Sequence, residues 1–275
     1  MSANYLLPAI GLAVLAVAML VGWLVQRRTR NAGTVDLLWT IGLGALAIFY
    51  AICASGWAPR RIMIASLAGL WSLRLALHLA ARLAREKEDG RYAALRTKFG
   101  TRFNAAMFWI FQAQALLAVL LSFVYLIPSA ADEVGFAARD LIAIGVWITA
   151  LSGEAIADRQ LDAWRKNPDN KGRTCRAGLW KYSRHPNYFF EWTHWLAYPI
   201  AAVGLPLGWV AWFAPVVMFV LVVKVTGIPP TEAQASRSRG DDYRDYQRTT
   251  NAFFPWFPRH NREPKQGSRN VSISA

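Results

Sequence analysis

Uncharged stretches as long as a bilayer is thick dominate this chain. Residues 5–25 carry no charge, and about twenty such residues in a helix cross roughly 30 Å of hydrocarbon. The flank before them, Met1-Ser2-Ala3-Asn4, lacks the basic residues of a cleaved signal peptide, and the run is too long for one. A retained transmembrane helix is therefore predicted. Six further spans follow at 35–54, 62–83, 104–127, 140–157, 189–203 and 207–228. Only Gly204-Leu205-Pro206 separates the last two, which predicts a tight helical hairpin. The expected fold class is all-α, a polytopic membrane bundle of about seven transmembrane helices. Residues 1–258 form one domain, and the polar tail 259–275, with His260, is expected to be disordered.

The charges supply an independent signal. With the N-terminus outside, segments 26–34, 84–103, 158–188 and everything from 224 onward face the cytoplasm. They carry 3, 6, 8 and 9 Lys and Arg, 26 of the chain's 31. The other side keeps Arg60, Arg61 and Arg139. Such asymmetry orients membrane helices, so an outside N-terminus and a cytoplasmic C-terminus are predicted. The net charge of +14 would suggest nucleic acid in a soluble protein. Here orientation and attraction to anionic lipid account for it, and no nucleic-acid partner is expected. Cys53 and Cys175 fall on opposite sides of the membrane, and no metal-ligand spacing, glycine-rich phosphate loop or His-Glu-x-x-His motif is present.

Ionisable side chains inside apolar spans are costly and mark function. Arg74 and His78 lie four apart, on one helical face, and Arg82 and Arg85 continue the stripe. Arg82 and Arg85 can snorkel to the interface; Arg74 lies too deep and is expected to face a polar cavity. Asp36 opens the second span, where it serves either as a cap or as a functional acid. Gln112 and Gln114 can simply link helices. Glu154 and Asp158, four apart near the end of the fifth span, are candidate functional carboxylates. Their helix is predicted to run on to about Trp164 and to break at Asn167-Pro168-Asp169-Asn170. His194 reads as a packed core histidine.

The densest chemistry lies in Gly178-Leu179-Trp180-Lys181-Tyr182-Ser183-Arg184-His185-Pro186-Asn187-Tyr188-Phe189-Phe190-Glu191. Cations, aromatics and an amide there lead straight into an apolar span. A second charged loop, Glu88-Asp89-Gly90-Arg91-Tyr92 to Arg96, shares that side of the membrane. With Arg165, Arg173, Arg176, Lys181 and Arg184 it forms a candidate cationic cradle. Guanidinium forks suit phosphate oxygens, and rings such as Tyr92, Trp180 or Tyr182 can stack on a base. A nucleotide such as NADPH matches this mixture.

The run 178–191 resembles the C-terminal signature of the steroid 5-alpha-reductase-like integral membrane family, and the chain as a whole resembles that family's bacterial branch of uncharacterised members. Val35-Asp36-Leu37-Leu38-Trp39, Leu73-Arg74-Leu75, Gln112-Ala113-Gln114 and Arg239-Gly240-Asp241-Asp242-Tyr243 to Phe254-Pro255-Trp256 fit in order. The likeness covers roughly residues 30–258. It implies a seven-helix enzyme of the bacterial inner membrane that holds NADPH in a cytoplasm-facing cavity and reduces an activated C=C bond in a lipidic substrate. By position it implies cofactor contacts at Asp158, Arg165, Asn187 and Glu191, with Tyr182 and Arg173 on or near others. Two departures stand out: Trp71 falls where steroid reductases place a proton-donating tyrosine, and their glutamine–glutamate pair has only Asp36 as a stand-in.

The expected mechanism is hydride transfer to an enone-like alkene, with Asp36, Arg74, Tyr92 and Glu191 nearest the reaction. Asp89, Arg91, Arg96, Asp158, Arg165, Arg173, Tyr182, Arg184, His185 and Asn187 are the expected cofactor-binding residues. The partners expected are a lipid-soluble small molecule and membrane lipids. Arg184-His185-Pro186 also suits an S-adenosylmethionine-dependent membrane methyltransferase, and the Arg74 face suits a non-enzymatic lipid-binding or transport protein.

Overall fold

The computed structural model describes residues 2–85 and 88–259. Among them the regular structure is entirely helical. After a short 3-10 turn come α1 (Leu7–Thr29), α2 (Thr34–Cys53), α3 (Ala58–Arg85), α4 (Gly90–Phe99), α5 (Phe103–Ser129) and α6 (Ala138–Lys166). Then follow α7 (Pro186–Ala201), α8 (Phe213–Val220), α9 (Ile228–Arg239) and α10 (Asp241–Thr249). A π-helical turn, Leu221–Val225, carries α8 toward α9.

Six helical stretches are long and apolar enough to cross a membrane: Asn4–Thr29, Thr34–Cys53, Ala58–Arg85, Gly90–Ser129, Ala138–Lys166 and Gly208–Arg239. The surface is correspondingly apolar. Val17, Ile52, Leu77, Leu141 and Val216 are each more than half exposed, an arrangement water would penalise and lipid does not. The chain is an integral membrane protein. The expected span 189–203 is the exception to the expected count of seven. It forms α7, which starts at Pro186, where a proline suits the first helical turn. Its 16 residues extend only about 24 Å, less than the roughly 30 Å of hydrocarbon. The predicted turn after it forms at Gly204, whose φ of +76° favours glycine. Of the expected tail, residues 260–275 lie outside the described residues, as do Glu86 and Lys87 of the charged loop.

Helix α6 runs past the apolar zone to Lys166 and ends at Asn167, as its sequence predicts. It packs along α7, where Gly153 lets the Phe190 ring come so close that a Cβ would meet it at 2.4 Å. The core behind this pair is aromatic: Trp71, Tyr125, Trp195 and Tyr198 are fully buried. Helices α9 and α10 fold back against residues 174–188, tied by Arg176 to Asp242 and Asp245 and by the Tyr246 hydroxyl donating to the carbonyls of Trp180 and Ser183.

Candidate functional site

One face of α7 is polar along most of its length. Asn187, Glu191, His194 and Tyr198 recur at spacings of three and four, so they align toward α3, α5 and α6. Against this stripe α3 presents Trp71 and Arg74, and α6 presents Glu154 and Asp158. The Arg74 guanidinium lies 2.6 Å from Glu154 and 3.0 Å from Asp158. Asn187 Nδ2 donates to Asp158 Oδ1 at 3.3 Å, and Trp71 Nε1 donates to Glu191 Oε2 at 3.0 Å. Arg74, expected to face a polar cavity, is thus paired with two α6 carboxylates. Its side chain keeps 31% exposure and Asp158 keeps 33%, so this polar cluster borders a space and is not sealed in the core.

The floor of the cluster is aromatic. Trp71 stacks on His194 at 4.5 Å between ring centroids. His194 is buried, as expected, with Nδ1 on the Glu191 carbonyl. Trp71, at the place where the resemblance puts a tyrosine, thus holds Glu191 through an indole N–H.

Toward the basic end a cavity of about 240 Å³ opens between the α9–α10 pair and the loop before α7. Arg165, Arg184, His185 and Asn187 line it together with Thr174, Cys175, Arg239 and Tyr243. The buried Thr174 Oγ1 has no hydrogen bond among the described residues, and Arg165 is an exposed cation at the cavity's edge. Arg184, by contrast, is spent within the protein: it bonds Glu232 at 2.7 Å and the carbonyls of Gln247 and Thr250. His185 Nε2 shares Glu232 at 3.1 Å. Burial pushes the His185 pKa below its usual value, against the opposing hydrogen bond and charge of Glu232. The same burial raises the Cys175 thiol. Arg184 and His185 therefore shape the wall of the cavity, and Glu232, three residues after Pro229, is a site residue that the sequence reading missed.

The remaining expected residues gather elsewhere. Asp36 does not cap α2. It accepts from Arg91 Nη2 at 2.7 Å and from the Tyr92 hydroxyl at 2.8 Å. Asp89 caps α4 through the Arg91 amide at 2.8 Å. Burial raises the Asp89 carboxyl, but hydrogen bonds from Arg91 and the charges of Arg91 and Arg82 outweigh it and hold the pKa below the usual carboxylate range. Arg96 pairs with Glu88 at 2.8 Å and reaches the Arg30 carbonyl at 3.1 Å. This loop network pins α4 to the α1–α2 turn, and the donors of Arg91 and Arg96 are engaged within it. Tyr182 lines a separate groove along α6, its ring 5.9 Å from that of Phe257, and Arg173 is exposed. Gln112 donates to the Ala16 carbonyl on α1, a helix-linking contact.

Apart from Tyr182 and Arg173, the expected residues thus divide into three groups: Arg74, Asp158, Asn187 and Glu191 within the bundle; Arg165, Arg184, His185 and again Asn187 around the cavity; Asp36, Asp89, Arg91, Tyr92 and Arg96 in the loop network. Asn187 is shared by the first two. The fully buried hydroxyls of Tyr125 and Tyr198, both without a hydrogen bond, were not legible, because nothing distinguishes them in sequence from ordinary aromatic core.

No solved structure matches the chain. An uncharacterised protein of Schizosaccharomyces pombe is 30% identical over 268 residues, which cover 85% of this chain and 75% of that protein. Residues 22–250 match the family described as "Protein of unknown function (DUF1295)". That match takes in α2 through α10 and every residue of the three groups above, and the chain belongs to the DUF1295 family.

Proposed function

We propose that the protein is a membrane-embedded NADPH-dependent reductase of an activated C=C bond in a lipid-soluble, enone-like substrate. In this reading α7 is a seventh, short transmembrane element, the N-terminus is outside and the cavity faces the cytoplasm. The observation that carries the proposal is the continuity of the polar face of α7. Asn187 lines the cavity and also touches Asp158, whose partner Arg74 reaches Glu154 beside Glu191. One cavity of hydrophilic chemistry thus adjoins a polar cluster inside an apolar bundle.

The donor set fits a dinucleotide. Arg165 and Arg239 suit phosphate oxygens, Thr174 Oγ1 suits a ribose or phosphate oxygen, and Tyr243 and Tyr188 offer ring faces. At about 240 Å³ the cavity is smaller than the roughly 300–1,000 Å³ of ligand sites, so a whole dinucleotide requires the α9–α10 pair to move outward. When bound, NADPH supplies the hydride. The chain's own residues orient and stabilise: the Arg74 guanidinium offsets charge developing on a substrate oxygen. Glu191, fixed by the Trp71 indole N–H, is assigned the proton transfer through its carboxyl. In this reading the Asp36–Arg91–Tyr92 network braces the loop beside the site.

Thermal unfolding of purified protein with NADPH or S-adenosylmethionine tests the proposal. NADPH is expected to raise the midpoint. Arg165→Ala is expected to weaken NADPH binding by about tenfold, the loss of one charge-assisted contact. Oxidation of NADPH should depend on an added enone lipid. Binding of S-adenosylmethionine alone would favour the methyltransferase reading, and binding of neither would leave the lipid-binding one.

A further inference from the structure

A second, larger concavity lies along the face of α6 that turns away from Glu154 and Asp158. This groove, of about 590 Å³, runs along α6 from Thr149 to Gln160, with Phe190 on one flank and residues 178–182 closing one end. Most of its polar groups are already engaged. Thr149 donates to the Gly145 carbonyl, and Gln160 accepts from the Leu179 amide. Lys181 and Tyr182 remain at the closed end. Lys181 is exposed and forms no ion pair among the described residues.

Three observations identify what such a groove would hold. The first is depth. Trp256 donates its amide to the Tyr182 carbonyl at 2.9 Å, and Phe257 packs edge-on against the Tyr182 ring. Phe254, Trp256 and Phe257 are 53%, 68% and 74% exposed, and clustered exposed aromatics of this kind lie at the membrane–water interface. Lys181 therefore sits at headgroup level. The second is length. Residues 149–160 span about 16 Å of helix, close to half of a roughly 30 Å hydrocarbon core. A groove that starts at the headgroups and ends near the midplane matches one acyl leaflet. The third is charge, since Lys181 lies at the end of the molecule that gathers most of its cations, and anionic headgroups are attracted there.

From these we propose that the α6–α7 groove binds one anionic glycerophospholipid of the surrounding bilayer, its phosphate at Lys181 and one acyl chain along α6 past Ser152. The site is separate from the Arg74 cluster and does not rest on the reductase reading. Its physical effect is to fill the seam where Phe190 meets Gly153, next to the helix that carries Asn187 and Glu191.

Native mass spectrometry of the delipidated full chain, titrated with phosphatidylglycerol or phosphatidylcholine of the same acyl chains, tests it. The wild type should retain one phosphatidylglycerol per chain at about fivefold lower lipid concentration than phosphatidylcholine, the preference one lysine gives at an anionic surface. Lys181→Glu should abolish that preference. Ser152→Trp, which fills the groove from an exposed position, should weaken retention of both lipids. Lys98→Glu makes the same charge change on α4, away from the groove, and should leave the preference intact. Unfolding midpoints without lipid confirm that each variant folds, and a variant that fails this check is replaced by Lys181→Gln or Ser152→Phe. Equal retention of both lipids by the wild type, an unchanged preference in Lys181→Glu, or chain dimers in place of bound lipid would overturn the proposal.

Discussion

Arg60 stands at the end of the bundle opposite the basic loops and is fully buried. Its guanidinium meets Asp140 through Nε and Nη2, each at 3.2 Å, and also donates to the carbonyls of Glu133 and Gly135. Asp140 in turn accepts the Ala137 amide at the start of α6. Removing one partner of such a pair leaves an uncompensated buried charge. Asp140→Ala is expected to cost about 3–5 kcal/mol, read as a lower unfolding midpoint in detergent; an unchanged midpoint would contradict the assigned ion pair. His185 makes a pH-dependent contribution. Its folded-state pKa is depressed by burial below the ordinary 6.5, so the folded chain binds fewer protons than the unfolded one just below that pH. Stability is then constant above about pH 6.5 and declines as the pH falls through 6.5 toward the folded value. Unfolding midpoints between pH 8 and 5 should show this decline, and His185→Gln should remove this component of it.

At the scale of elements, the α6–α7 pair decides where the polar groups meet. Gly153 admits Phe190 at a separation no larger residue permits, and this approach sets Glu154 beside Glu191. Gly153→Val should push the helices apart and destabilise the fold by about 1–3 kcal/mol, the usual cost of overpacking. Phe190→Ala in the same chain should recover part of the loss, and destabilisations that simply add would mean the two residues do not press on each other. The periodicity of α6 and α3 was readable: 74 with 78 and 154 with 158 are face-sharing pairs in any helix. That the two faces meet was not readable, because spacing within a helix says nothing about its rotation against a neighbour. Asp36 illustrates the same limit. Its position before an apolar run suits a cap, yet its carboxylate is taken by Arg91 and Tyr92 from α4.

For the whole molecule, the uneven spread of Lys and Arg over the connecting segments leads us to propose an outside N-terminus and a cytoplasmic C-terminus. A cytoplasmic reporter fused after residue 259 should be active, and one fused at the N-terminus inactive; the reverse pattern would refute the charge-based orientation. The α9–α10 pair covers the cavity from one side and hangs from the π-helical turn at Leu221–Val225 and from Gly227. Glu232 clamps it to Arg184 and His185. Glu232→Gln keeps the shape but weakens this clamp, so faster amide exchange in 228–249 is expected, with the α1–α3 amides unaffected. Uniform exchange changes across the bundle would argue that Glu232 holds the fold and not the cover.

Composition and pattern were enough to establish a helical membrane protein, because burying backbone in lipid leaves a helix few alternatives and apolar runs announce themselves by length. They were enough, too, to mark Arg74, Glu154 and Asp158 as out of place in an apolar setting. Contact across the bundle decided the rest. Glu232 reached Arg184 over 48 residues of chain, Trp71 found Glu191, and Arg91 was drawn to Asp36 and away from the cavity. Such pairings depend on helix rotation and on the space that single glycines leave, quantities that arise only when the helices pack.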